Sequence, residues 1–90
     1  EPTNATFLDT YAWILFLQKQ YTQAHIYISQ ALEHLDETEE NASIYDHAGD
    51  ISFRMKRTRE ALRFWIKELG SVTDTKERAK IKRKVERRRL

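Results

Sequence analysis

The sequence predicts an all-α fold, two helical hairpins closed by a C-terminal helix, on three observations. Only two Gly and one Pro occur in 90 residues, and the Pro is Pro2, so little in the chain drives the backbone out of a helix. Apolar residues recur at the i, i+3, i+4, i+7 spacing of amphipathic helices. The pattern of small and large residues in the first pair of helices returns in the second pair, displaced by 37 residues. A chain of this length makes one small domain, residues 1–90, and buries only about two-thirds of the surface its unfolded form exposes, so its core is thin.

A first helix is expected over residues 6–17, where Leu8, Tyr11, Ala12 and Leu15 share one face. Asn4 or Thr6 is placed to cap it, because a side-chain oxygen there accepts from the free N–H groups of the first turn. Gln18-Lys19-Gln20 is polar and reads as a tight turn. The second helix, about Thr22–His34, carries Tyr21, Ala24, Ile28, Ala31, Leu32 and Leu35 on its apolar side.

Asp36-Glu37-Thr38-Glu39-Glu40-Asn41 contains no apolar residue and reads as a solvated connection whose acids favour the positive N-terminus of the next helix. The third helix, about Ala42–Met55, bears Ile44, Tyr45, Ala48, Ile51, Phe53 and Met55. After a turn at Lys56-Arg57-Thr58, the fourth helix buries Ala61, Leu62, Trp65 and Leu69, and Gly70 is expected to end it in the left-handed conformation. Asp74 followed by Glu77 resembles a capping box for a fifth helix over residues 74–89, whose apolar stripe of Ala79, Ile81, Val85 and Leu90 is sparse.

The two hairpins, residues 4–36 and 41–70, match at their packing positions. Ala12 precedes Ala24 by twelve residues and Gly49 precedes Ala61 by the same twelve, which predicts close approach of the two helices at small side chains. Tyr11 corresponds to Ala48, Tyr21 to Thr58, Ile28 to Trp65 and Leu32 to Leu69. Ala31 corresponds to Glu68, where a small residue is expected.

These positions resemble the tetratricopeptide repeat, a helix pair of about 34 residues with small residues at three such sites. Leu8, Tyr11, Ala12, Leu15, Tyr21, Ala24, Ile28 and Ala31 match one repeat; Tyr45, Ala48, Gly49, Phe53, Ala61 and Trp65 match another. Glu1-Pro2-Thr3-Asn4 is similar to the junction closing a preceding repeat, and with no initiator Met the chain is expected to be a piece of something longer. The stretches Leu8-Asp9-Thr10-Tyr11-Ala12-Trp13 and Gly49-Asp50-Ile51 resemble C-terminal repeats of bacterial proteins of this family, many tied to the cell envelope, which favours an envelope location over the cytoplasm. The chain departs from the family in its 37-residue spacing and in Lys56, at a turn position often held by Gly.

The resemblance implies an α-α superhelix whose concave face is lined by the first helix of each pair. In this sequence that face comprises Asp9, Trp13, Phe16 and Leu17, then Asp46, Asp50, Phe53 and Arg54. An aromatic centre ringed by acids suits a protein partner, a peptide or helix with apolar anchors and some basic character. Trp13 and Phe16 also suit packing, in the core or against a preceding repeat, or self-association, and a homodimer through the N-terminal edge is a further expectation. Family members that hold chaperone tails use a Lys- and Asn-lined clamp, which Asp9, Trp13 and Asp50 do not resemble.

Charge is segregated behind a net of +2: residues 76–90 hold nine Lys and Arg against two Glu, leaving the rest of the chain acidic. Lys80, Arg83, Lys84, Arg87 and Arg88, with Lys82 and Arg89, could meet nucleic-acid phosphates or anionic lipid with salt-dependent affinity. No aromatic residue lies among them to stack on bases. The same helix reads as a cap over the last repeat, or as an intramolecular partner of the acidic connection.

Catalysis and cofactors find no foothold. Cys is absent, and His25, His34 and His47 do not have the i, i+4 spacing that puts two ligands on one metal. No carboxylate stands in a recognisable arrangement with a nucleophile, and there is no Gly-rich phosphate loop. Asn4-Ala5-Thr6 and Asn41-Ala42-Ser43 match the glycosylation pattern but read equally as helix caps.

Overall fold

A computed structural model describes residues 4–35 and 41–90. Five helices account for most of them: α1 (Ala5–Leu17), α2 (Tyr21–Glu33), α3 (Asn41–Arg54), α4 (Thr58–Ser71) and α5 (Thr75–Arg87). The fold is an all-α helical repeat. α1 packs along α2 and α3 along α4, then α3 docks on the first hairpin and α5 on α4. The acidic connection at residues 36–40 and the junction-like residues 1–3 lie outside the described residues.

Local chemistry sets the helix ends. Asn4 caps α1, its Oδ1 accepting from Phe7 N at 3.0 Å, and Asp74 caps α5, its Oδ2 accepting from Glu77 N at 3.0 Å. Asn41 stands inside α3 as its first residue. The turns after α1 and α3 are the same structure. Lys19 and Lys56 both adopt φ 62°, and in both turns the next residue's N–H returns to a carbonyl five residues back, Gln20 to Leu15 and Arg57 to Ser52. This is the double hydrogen bond of a left-handed helix stop, with Lys where Gly is the usual solution.

Gly70 does not end α4 as expected. No glycine has positive φ among the described residues, and the helix runs one residue further, to Ser71, before Val72 turns extended. The carbonyls freed at that end are met from α5: Arg78 Nη1 donates to Leu69 O and, at 2.8 Å, to Val72 O. A cation on the carbonyl end of a helix also suits its dipole.

Core packing follows the small-residue sites. Ala12, Ala24 and Ala61 have no accessible surface and Gly49 is buried. The close neighbour of Gly49, however, is Trp65: a Cβ at Gly49 would lie 2.3 Å from its Nε1 and 2.4 Å from its Cδ1. In the first hairpin the corresponding pair is Ala12 and Ile28. The second hairpin thus exchanges a medium-sized residue for a Trp and loses a methyl group on the facing helix, which keeps the helices packed.

Nine residues form one apolar cluster, from Leu8, Ala12 and Leu15 through Ala24, Ile28 and Ala31 to Ile44, Ala48 and Ile51 of α3. Ala61, Trp65, Val72 and Ile81 form a second, with Phe53 and Val85 packed against it. Ile81 therefore does for α5 what Ile44 does for α3: each anchors a following helix on the hairpin before it. Of the stripe expected on α5, Ala79 and Leu90 stay exposed. Tyr11, expected in the core, is 45% exposed and meets Tyr27 edge to face at 4.6 Å.

Candidate partner-binding face

The face common to α1, α3 and α5 is built from positions that repeat every 37 residues. Asp9 on α1 corresponds to Asp46 on α3, and His47 on α3 corresponds to Lys84 on α5. The structure pairs them in the same way. His47 Nδ1 lies 2.6 Å from Asp9 Oδ1, and Lys84 Nζ lies 2.9 Å from Asp46 Oδ1, each pair 38 residues apart. One carboxylate on the first helix of each hairpin is bridged by a base two helices on, α3 for α1 and α5 for α3. At these positions α5 follows the register of α1 and α3, and the sequence signal is the 37-residue offset applied once more, from Ile44 to Ile81 and from His47 to Lys84.

Asp9 is only 7% exposed, and Trp13 one turn along packs over the bridge. The Trp13 ring stacks on His47 at 4.0 Å and on Phe16 at 4.6 Å, nearly parallel to both, and Phe16 continues to Tyr21 at 5.5 Å. Trp13 and Phe16 are half-buried and tie α1 to α3 and to the head of α2. Leu17, at 66% exposure, is open to a partner.

On α3, Asp46 and Asp50 do not stand free. Lys84 Nζ also donates to Asp50 Oδ1 at 3.1 Å, and the same oxygen accepts from Trp65 Nε1 at 3.1 Å. Lys84 further lies 5.7 Å from the centre of the Trp65 ring. Phe53 is half-buried against Trp65, while Arg54 is exposed and reaches over the Phe53 ring at 6.0 Å.

Glu68, where a small residue was expected, completes this polar cluster. It is 6% exposed, and its Oε1 is buried without a hydrogen-bond partner. Burial, then the charge of Asp46 and a hydrogen bond to it, push the Glu68 carboxyl up to about 9, so at neutral pH it is protonated and donates toward Asp46. Burial, followed by the charge of Asp46, also raises Asp50 above its ordinary value, against the pull of Lys84 and Trp65. For Lys84, burial favours the neutral amine, but the hydrogen bond and charge of Asp46, with Asp50, outweigh it and raise the ammonium above its usual range. The cluster therefore sets a protonated Glu68 and the Lys84 ammonium against Asp46 and Asp50.

Of the residues expected to bind polyanions, Lys84 is occupied by Asp46 and Asp50, while Lys80, Arg83, Arg87 and Arg88 are exposed. Lys80, Arg83, Lys84 and Arg87 converge with Arg89 and Leu90 on a cleft of about 250 Å³. A second cleft, about 380 Å³, opens beside Trp13 and His47 between α1 and α3. A third, about 450 Å³, lies between α3, α4 and α5 beside Asp46 and Glu68.

His25 lies 3.3 Å from both Glu60 and Arg57, and Glu60 also accepts from the buried Ser52 hydroxyl at 3.2 Å. No group of three or more His, Asp or Glu among the described residues is placed to hold a metal ion. No described helix is long and apolar enough to cross a membrane. No protein-family profile, curated protein or solved structure matches the chain.

Proposed function

We propose that this chain is a non-catalytic protein-interaction module of tetratricopeptide type, which takes a peptide or helical segment of a partner protein across the face of α1 and α3. The observation that supports this most is the repeated bridge, Asp9 to His47 and Asp46 to Lys84. It fixes equivalent residues of successive helices side by side, so that Leu17, Phe53 and Arg54 stand on a preorganised surface. Preorganisation lowers the ordering cost of binding. Selection from a displayed library of random dodecamer peptides tests the reading: enriched peptides bind the chain, and Leu17→Glu, at an exposed site, weakens them at least tenfold. Failure to enrich any sequence, or indifference of every selected peptide to that change, refutes it.

Self-association through the α1 edge is a second reading with its own support. Phe7, Tyr11 and Ile14 are 64%, 45% and 47% exposed, whereas their counterparts Ile44, Ala48 and Ile51 are at 2%, 0% and 0% beneath the preceding hairpin. The polyanion reading of α5 has the exposed Lys80, Arg83, Arg87 and Arg88 behind it, without Lys84.

A further inference from the structure

We propose that the partner segment taken across α1 and α3 continues onto α5, that it is acidic with apolar anchors, and that its charge is read by Arg54 of α3 and by Arg83 and Arg87 of α5. The proposal rests on the peptide-binding reading above and fixes the chemistry of the ligand.

By composition the face looks acidic at α1 and α3, but its acids are already used. Asp9 is buried against His47, Asp50 is 7% exposed between Lys84 and Trp65, and Asp46 accepts from Lys84. A basic peptide would have to displace a buried intramolecular partner, leaving Lys84 without its counter-charges. The cations next to these pairs are in the opposite state. Arg54 is exposed with a ring beneath it, and Arg83 and Arg87 are exposed one turn apart on the cleft they share with Lys80. The 37-residue register carries Asp46 onto Arg83 and Asp50 onto Arg87, so the same positions change sign from α3 to α5. Glu86 stands between Arg83 and Arg87 in the sequence of α5, and Glu77 lines the neighbouring cleft with Lys80.

Apolar anchoring separates a peptide from a nucleic acid. The Trp13 ring is taken up by stacking on Phe16 and His47, and α5 carries no aromatic residue, so little is left to hold unstacked bases. Phe53 offers aromatic surface beneath Arg54, and Leu17, at the equivalent position on α1, offers exposed aliphatic surface, which suits Leu or Phe side chains set among Asp and Glu.

The test uses the full chain and four labelled probes read by fluorescence anisotropy. These are a 15-residue peptide of Asp and Glu with Leu and Phe anchors, its twin with Lys for every acid, its twin with Ser for every anchor, and a 15-nucleotide oligothymidylate. The anchored acidic peptide is expected to bind at least tenfold tighter than each of the others. Arg83→Glu with Arg87→Glu, exposed changes whose folding is checked by circular dichroism, should remove that preference, and Leu17→Ser should weaken the anchored peptide alone. Equal or tighter binding of the Lys twin overturns the charge assignment while leaving a peptide-binding face. Equal binding of the Ser twin or the oligonucleotide overturns it in favour of a plain polyanion surface. If no probe binds, the charge assignment fails, and the library selection decides whether the face binds peptides at all.

Discussion

Replacing Glu68 by Gln should remove most of the pH dependence of this protein's stability between about pH 5 and 9. Its carboxyl lies at about 9 in the folded chain against an ordinary 4.5. Between those values the folded protein holds a proton that the unfolded protein releases. The stabilisation from this group is complete below 4.5, falls as pH rises, and is exhausted above about 9. The slope for one proton is about 1.4 kcal/mol per pH unit, so going from pH 6 to pH 8 costs about 3 kcal/mol. With m-values of about 1–3 kcal/mol/M for small domains, the urea midpoint of the wild-type chain should drop by about 1–3 M over that interval. Gln has the shape of protonated Glu, donates toward Asp46 through its amide, and cannot ionise. Its midpoint should match wild type near pH 5 and exceed it increasingly above. Asp50 and Lys84 remain in both proteins, so the difference between the two profiles reports Glu68 together with its coupling to Asp46, Asp50 and Lys84. Parallel profiles would refute the assignment of a neutral, buried acid at this position.

Lys84→Met leaves Asp46 and Asp50 without their shared ammonium and should destabilise the chain by about 3–5 kcal/mol, the expected cost of stranding half of a buried ion pair; thermal unfolding measures it. Gly49→Ala drives a methyl group into the indole of Trp65, which its hydrogen bond to Asp50 holds in place, and should cost about 1–3 kcal/mol or more by urea titration. Lys19→Gly and Lys56→Gly relieve a left-handed conformation that L-residues adopt at a cost of about 1–2 kcal/mol, partly offset by the greater freedom of unfolded Gly, so each should stabilise by about 0.5–1 kcal/mol. Phe7→Asp should abolish any concentration-dependent association seen by sedimentation, because that ring is the most exposed part of the open α1 face; persistence of dimers in the variant would place the contact elsewhere.

Much of the fold was legible because a helix writes its packing into sequence at a fixed period. The two hairpins, the caps at Asn4 and Asp74, and the burial of Ala12, Ala24 and Ala61 all follow from residue spacing. Gly70 misled because a Gly near a helix end permits a left-handed stop without requiring one; here Lys19, Lys56 and Arg88 take that conformation instead. The residues expected to bind a partner lie on α1 and α3, and their accessibility was not legible. Asp9 and Asp50 look like free surface acids until their partners, 38 and 34 residues downstream, are brought beside them.

The sequence by itself determined the helices, their pairing and the 37-residue period, since these depend on side-chain size and polarity at local spacing. Only the tertiary structure decided the electrostatic character of the face. Which acids are neutralised, which cations stay open, and whether Glu68 keeps its proton depend on burial and on distances between groups far apart in the chain. Charge energies change sign with those two quantities, and composition carries neither.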